Sequence, residues 1–161
     1  MGRAGDRRHS SVAFWAARVS VLTHNLSKSR TARTDAEKPL AGQRILLAED
    51  EGLIALELER MLEELGCDVV GPLASIDKVL ETAQRGALDG AVLDVNLRGE
   101  QIFEILPTLQ RLGMRVIITS GYADDTLFPA SFRAMPRIAK PFNQRELRLI
   151  CEKIFATPAR P

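Results

Sequence analysis

From residue 43 onward, apolar positions alternate between strand-like runs and helical spacing. Ile45-Leu46-Leu47-Ala48 is a short continuous apolar run, as expected of a strand buried on both faces. Ile54, Leu58, Met61, Leu62 and Leu65 then recur at helical spacing, and Gly66 marks the helix stop. Val69-Val70-Gly71 predicts a second strand. Leu73, Ile76, Val79, Leu80 and Ala83 predict a second helix, closed by Gly86. Leu88 to Leu93 predicts a third strand ending at Asp94. Ile102, Ile105, Leu106, Leu109 and Leu112 mark a third helix, in which Pro107 demands a kink or a late start. Val116-Ile117-Ile118 predicts a fourth strand ending in Thr119-Ser120-Gly121, followed by a weak helix from Tyr122 to Ala134 that Pro129 interrupts. Ile138-Ala139 is a short fifth strand, and Leu147, Ile150, Cys151 and Ile154 complete a final helix. Five strands alternating with five helices predict an α/β fold, with right-handed crossovers and a parallel, doubly wound sheet.

This pattern places one domain at residues 42–156, followed by a short tail at 157–161. Residues 1–41 show no sustained periodicity, and Ser, Thr and Arg dominate them around one apolar patch from Val12 to Leu22. Residues 1–40 carry eight Lys/Arg against three Asp/Glu, a net of +5, whereas the remainder carries 14 against 18, a net of −4. The segment reads as a basic, disordered extension, or an over-long start at Met1, in preference to a transit peptide. At 45% apolar and 27% charged, the chain is neither wholly disordered nor fibrous. No run approaches the roughly 18 apolar residues of a membrane helix. Cys67 and Cys151 lack metal-ligand spacing and cannot build a dense disulfide framework, so a reducing, cytoplasmic setting is expected. Neither half shows the basic and aromatic interleaving of a nucleic-acid platform.

Ligands of an open parallel sheet bind beyond the carboxyl ends of its strands. Strand one ends in Glu49-Asp50, with Glu51 following, strand three in Asp94, strand four in Thr119-Ser120-Gly121 and strand five in Lys140-Pro141. Taken singly, an acid after a strand is a solvated loop residue, a Ser is a helix cap and a Lys is a surface charge. Their convergence on one sheet edge is what carries meaning. Clustered carboxylates repel one another unless a cation intervenes. Magnesium prefers oxygen ligands and binds through one or two carboxylates plus phosphate oxygens. With Mg2+ present, Asp94 is the candidate nucleophile toward a phosphoryl group. Ser120 and Lys140 would then hydrogen-bond the phosphoryl oxygens and neutralise developing charge.

These residues resemble the receiver domain of bacterial two-component response regulators across about residues 43–156. The resemblance rests on Leu46-Leu-Ala-Glu-Asp-Glu51, Leu93-Asp-Val-Asn-Leu-Arg-Gly99, Ile118-Thr-Ser-Gly-Tyr122 and Lys140-Pro-Phe142, and on the 44 residues separating Asp50 from Asp94. It implies a flavodoxin- or CheY-like strand order 2-1-3-4-5. It further implies Asp94 as phosphoacceptor, Asp50 as a direct Mg2+ ligand, Glu49 acting on the metal mainly through water, and the backbone carbonyl of Asn96 completing the set. Ser120 takes the place of the switch hydroxyl, with Thr119 pointing the other way. Lys140 contacts the phosphate, and its bond to Pro141 is expected to be cis. The implied phosphate donor is a histidine kinase or a phosphotransfer protein. With only residues 157–161 after the last helix, output is expected through an unidentified downstream protein, from a monomer or weak homodimer, with no nucleic acid or membrane involved.

Three positions depart from the family pattern. Arg137 stands three before the lysine where an aromatic is common, so an aromatic rotamer coupled to Ser120 cannot be the switch. The fourth helix is short and carries Pro129. Asn96-Leu-Arg-Gly99 replaces a common proline-glycine turn. Together they resemble stand-alone receivers. The main alternative is a phosphorylation-independent adaptor, which would lack Asp94, Asp50 or Lys140. A haloacid-dehalogenase-type phosphatase would need a second acid where Asn96 stands, and a flavodoxin's phosphate would be repelled by Glu49-Asp50-Glu51.

Overall fold

The structure, a computed structural model, describes residues 38–121 and 128–156. The readings of residues 1–37 as an extension and 157–161 as a tail lie outside the described residues. Five strands form one parallel sheet: β1 (Arg44–Ala48), β2 (Asp68–Leu73), β3 (Gly90–Asp94), β4 (Arg115–Ser120) and β5 (Arg137–Ala139). Their order is β2-β1-β3-β4-β5, as expected. Among the described residues, four α-helices accompany them: α1 (Gly52–Glu64), α2 (Ile76–Gln84), α3 (Leu106–Arg111) and α4 (Gln144–Phe155).

Strand alternation divides the core into two layers. Leu46, Ala48, Ala91, Leu93, Val116 and Ile118 pack against Val79 and Ala83 of α2 and Leu106 and Leu109 of α3. Ile45, Leu47, Val92, Ile117 and Ile138 pack against Leu58, Met61 and Leu62 of α1 and Leu147, Cys151 and Phe155 of α4. Helices on both faces explain why β1 and β3 read as unbroken apolar runs. Cys67 and Cys151 are free thiols buried in the second layer. Burial pushes the Cys67 thiol up to about 12 and Cys151 up as well, so both serve as protonated core filling.

Three expectations are adjusted. Leu40, placed in the extension by composition, is 1% exposed and packs in the α1–α4 layer, its N–H donating to Leu65 O at 3.0 Å. The folded unit therefore reaches back before residue 42. The third helix starts late: a 3-10 turn, Ile102–Glu104, precedes α3, and Pro107 sits in the first turn of α3, where its missing N–H is harmless. Of the weak helix expected over Tyr122–Ala134, residues 122–127 lie outside the described residues. The rest holds only a single 3-10 turn, Ala130–Phe132, after Pro129, whose ring excludes it from a helix interior. No helix among the described residues is long and apolar enough to cross a membrane.

Candidate functional site

β1 and β3 run side by side, with Ala48 opposite Leu93, so Glu49 and Asp94 emerge together at the carboxyl edge. β5 reaches the same edge two strands away, Ser120 pairing with Ala139, and Lys140 N–H donates to Ser120 O at 2.7 Å. The Lys140–Pro141 bond is cis, as expected. Lys140 Nζ lies 2.7 Å from Glu49 Oε2 and 2.9 Å from Asp94 Oδ2, so one ammonium bridges two buried carboxylates. The Glu49 main chain is tied to β2 by donation to Leu73 O, and Glu51 N–H donates to Glu49 Oε1 at 3.2 Å.

Burial raises the Glu49 carboxyl above its usual pKa; pairing with Lys140 opposes that rise and the charge of Asp94 adds to it. Burial also disfavours the Lys140 ammonium, but pairing with the Glu49 and Asp94 carboxylates outweighs it and holds the lysine above its usual value. The pair is therefore ionised at neutral pH on the lysine side, with a partly frustrated carboxylate opposite.

Asp50 stands apart from this pair. It is exposed at the mouth, and its Oδ2 accepts from the backbone N–H of Arg98 at 3.0 Å. Glu49, Asp50 and Asp94 each offer a carboxylate oxygen within 4.8 Å of the others. Three hard oxygen donors, two of them paired with the Lys140 ammonium and the third, Asp50, at the mouth beyond its reach, fit a divalent hard cation. Asp50, Glu51, Asp94, Val95, Asn96, Gly121 and Lys140 line a cleft of about 390 Å³.

The structure thus brings Glu49, Asp50, Asp94, Asn96 and Lys140 together. Ser120 is fully buried at the end of β4, beside the cleft but not lining it, where Gly121 does. Val116 and Ile118 face the α2–α3 layer and Ile117 the α1–α4 layer, so alternation sends Ser120 and Thr119 to opposite sides. Thr119 is wholly buried, and its Oγ1 has no hydrogen-bond partner among the described residues. At the departing position, the Arg137 guanidinium lies 4.8 Å from the centroid of the Phe128 ring, and Phe128 meets Phe103 edge-on at 5.4 Å. A cation on an aromatic cluster occupies the place of an aromatic side chain.

Sequence reasoning missed Arg98. Asn96–Leu97 and Glu100–Gln101 form a two-residue antiparallel ladder, and Arg98 and Gly99 turn it with φ of 54° and 88°. The only signal in the chain was the Arg-Gly pair standing where a proline-glycine turn is common.

A sequence model of the response regulator receiver domain matches residues 45–152. The transcriptional regulatory protein PdtaR of Mycobacterium tuberculosis is 29% identical over 117 residues, 71% of this chain and 57% of that protein, so the chain spans little more than half the length of this curated relative. The solution structure of SdrG from Sphingomonas melonis Fr1 is 34% identical, with a TM-score of 0.60 over 67% of this chain and 92% of that one. The receiver domain of the sensor histidine kinase PA1611 from Pseudomonas aeruginosa PAO1, solved with magnesium coordinated in its active-site cleft, is 26% identical, with a TM-score of 0.61 over 73% of this chain and 100% of that one. With the strand order, the acidic cleft and the bridging lysine in place, the chain belongs to the response regulator receiver domain family.

Proposed function

We propose that this receiver accepts a phosphoryl group on Asp94, in a reaction that requires Mg2+, from a histidine kinase or phosphotransfer protein, and passes the signal on through protein contacts. The observation that carries the reading is Lys140 Nζ held between Glu49 Oε2 and Asp94 Oδ2. That geometry keeps a cation against one oxygen of Asp94 while the other remains for attack on phosphorus. Asp50, Asp94, the Asn96 carbonyl and, mainly through water, Glu49 would hold the ion, which supplies charge neutralisation and polarises the phosphoryl donor. In-line transfer needs little covalent help from the protein beyond positioning and charge stabilisation. Once phosphate is attached, Lys140 remains against its oxygens, and Ser120 is the hydroxyl on β4 that supplies a further donor. Output by contact suits a chain whose catalytic edge opens to solvent through Gly121. The domain assists its own phosphorylation and dephosphorylation without acting on another substrate.

The test is intact-protein mass after incubation with acetyl phosphate, with and without Mg2+, beside Asp94→Asn. A single magnesium-dependent phosphate that is absent in Asp94→Asn is expected. Equal labelling of the two proteins would move the phosphoacceptor elsewhere. Absence of both labelling and magnesium binding would favour the phosphorylation-independent adaptor.

A further inference from the structure

The hairpin Asn96–Gln101 stands where the family commonly has a proline-glycine turn, and it makes a contact that proline could not. Proline has no N–H and is locked near φ −65°. Arg98 has φ 54°, a left-handed conformation that strains a non-glycine residue, and its N–H donates to Asp50 Oδ2 at 3.0 Å. A strained residue is retained where the surrounding structure over-determines it. Three features do so here. The ladder pairs Asn96 with Gln101 and Leu97 with Glu100. Leu97 is fully buried in the α2–α3 layer. Asn96 Oδ1 accepts the N–H of Gly99 at 2.7 Å, closing the turn from inside.

Asp50 needs such a support because Lys140 does not reach it; Lys140 is engaged by Glu49 and Asp94. Among the described residues, the Arg98 N–H is the hydrogen bond that Asp50's carboxylate accepts. Donation to Oδ2 leaves the other carboxylate oxygen out of that bond, on a residue that lines the cleft.

We infer that Arg98, through its main-chain N–H, and Asn96, through the side-chain oxygen that closes the turn, are positioning residues that pre-set Asp50 for magnesium. This rests on the reading of Asp50 as a metal ligand. Groups of this kind, which orient a ligand without touching the ion, typically change metal affinity by 10- to 100-fold when lost. Asn96→Ala keeps the Asn96 carbonyl, so its effect reports the turn and not a missing main-chain ligand.

The experiment is calorimetric titration of Mg2+ into the full chain, joined to amide spectra of the metal-free protein. Asn96→Ala and Arg98→Pro are expected to weaken magnesium binding about tenfold. Asn96→Asp, which can still accept from Gly99, and Arg98→Gly, which keeps the N–H and relieves the strain, are expected to restore it. In the metal-free protein, the Arg98 amide proton should move upfield in Asp50→Ala. Wild-type affinity in folded Asn96→Ala and Arg98→Pro, or an Arg98 amide indifferent to Asp50→Ala, overturns the inference while leaving the metal site standing. Absence of magnesium binding in the wild-type chain overturns both.

Discussion

Lys140 holds two carboxylates at once, and its removal exposes what each requires. In Lys140→Ala, Glu49 and Asp94 face one another without a counter-charge, and we expect a loss of about 2–3 kcal/mol at neutral pH in metal-free protein. Urea denaturation with and without Mg2+ checks this, since the ion should return part of the loss. The pH dependence follows from the two shifts. Because Glu49 is raised above 4.5, the native state binds that proton more readily than the unfolded chain, so stability falls as pH rises through the window above 4.5. Its ionised form is a net strain on the fold at pH 7, and Glu49→Gln should therefore melt higher than wild type without metal; a lower melting temperature there would contradict the assignment. Lys140 is raised above 10.5, so its contribution is full below that value and lost as pH climbs past the folded pKa. Ser120→Ala should slow phosphorylation about tenfold or more, as expected for one lost donor to developing charge. Thr119→Val should leave the rate near wild type, because alternation turns Thr119 away from Ser120's side.

The elements meet tightly where β3 passes under α4. A Cβ added to Gly90 would come within 2.5 Å of the Phe155 ring and 2.7 Å of Arg115 O. The ring can give way but the carbonyl cannot, so Gly90→Ala should cost about 2–3 kcal/mol. Phe155→Leu in the same chain should recover only part of it, a non-additivity that a double-mutant cycle measures. Arg115 reinforces the same junction, donating to Ile154 O at 3.1 Å and Phe155 O at 3.0 Å. At the other end of α4, Asn143 Oδ1 accepts from Glu146 N–H at 2.9 Å, and Asn143→Ala should lose about 1 kcal/mol.

For the whole molecule, magnesium and folding are linked through the carboxylate edge. An ion that binds the native chain alone stabilises it by about 1.4 kcal/mol at ten times its dissociation constant. Thermal melts should therefore rise with Mg2+ and fall back with chelator, and Asp50→Asn should flatten that response. Wild-type behaviour in Asp50→Asn would remove Asp50 from the ligand set. Among the described residues, Leu53 and Leu56, 86% and 63% exposed, lie in α1, which starts directly after the cleft residue Glu51, and Leu149 of α4 and Leu112 after α3 are exposed as well.

Sequence alone determined the layered architecture and most of the site. Unbroken apolar runs such as Ile45–Ala48 are possible only for strands covered on both faces, and the polar residue that ends each run marks where the sheet meets solvent. That local rule placed Glu49, Asp50, Asp94, Ser120 and Lys140 on one edge without coordinates. Other features depended on groups far apart in the chain. Leu40 looks like part of a polar extension until α1 offers it a buried seat. Lys140 divides itself between Glu49 and Asp94 because β1, β3 and β5 end at one level. Arg98 reads as an ordinary surface arginine, and only the hairpin's left-handed turn directs its main-chain N–H to a carboxylate 48 residues away in sequence. A residue's side chain announces its type, but a backbone donor is the same in nearly every residue, so its role is settled by the fold that aims it.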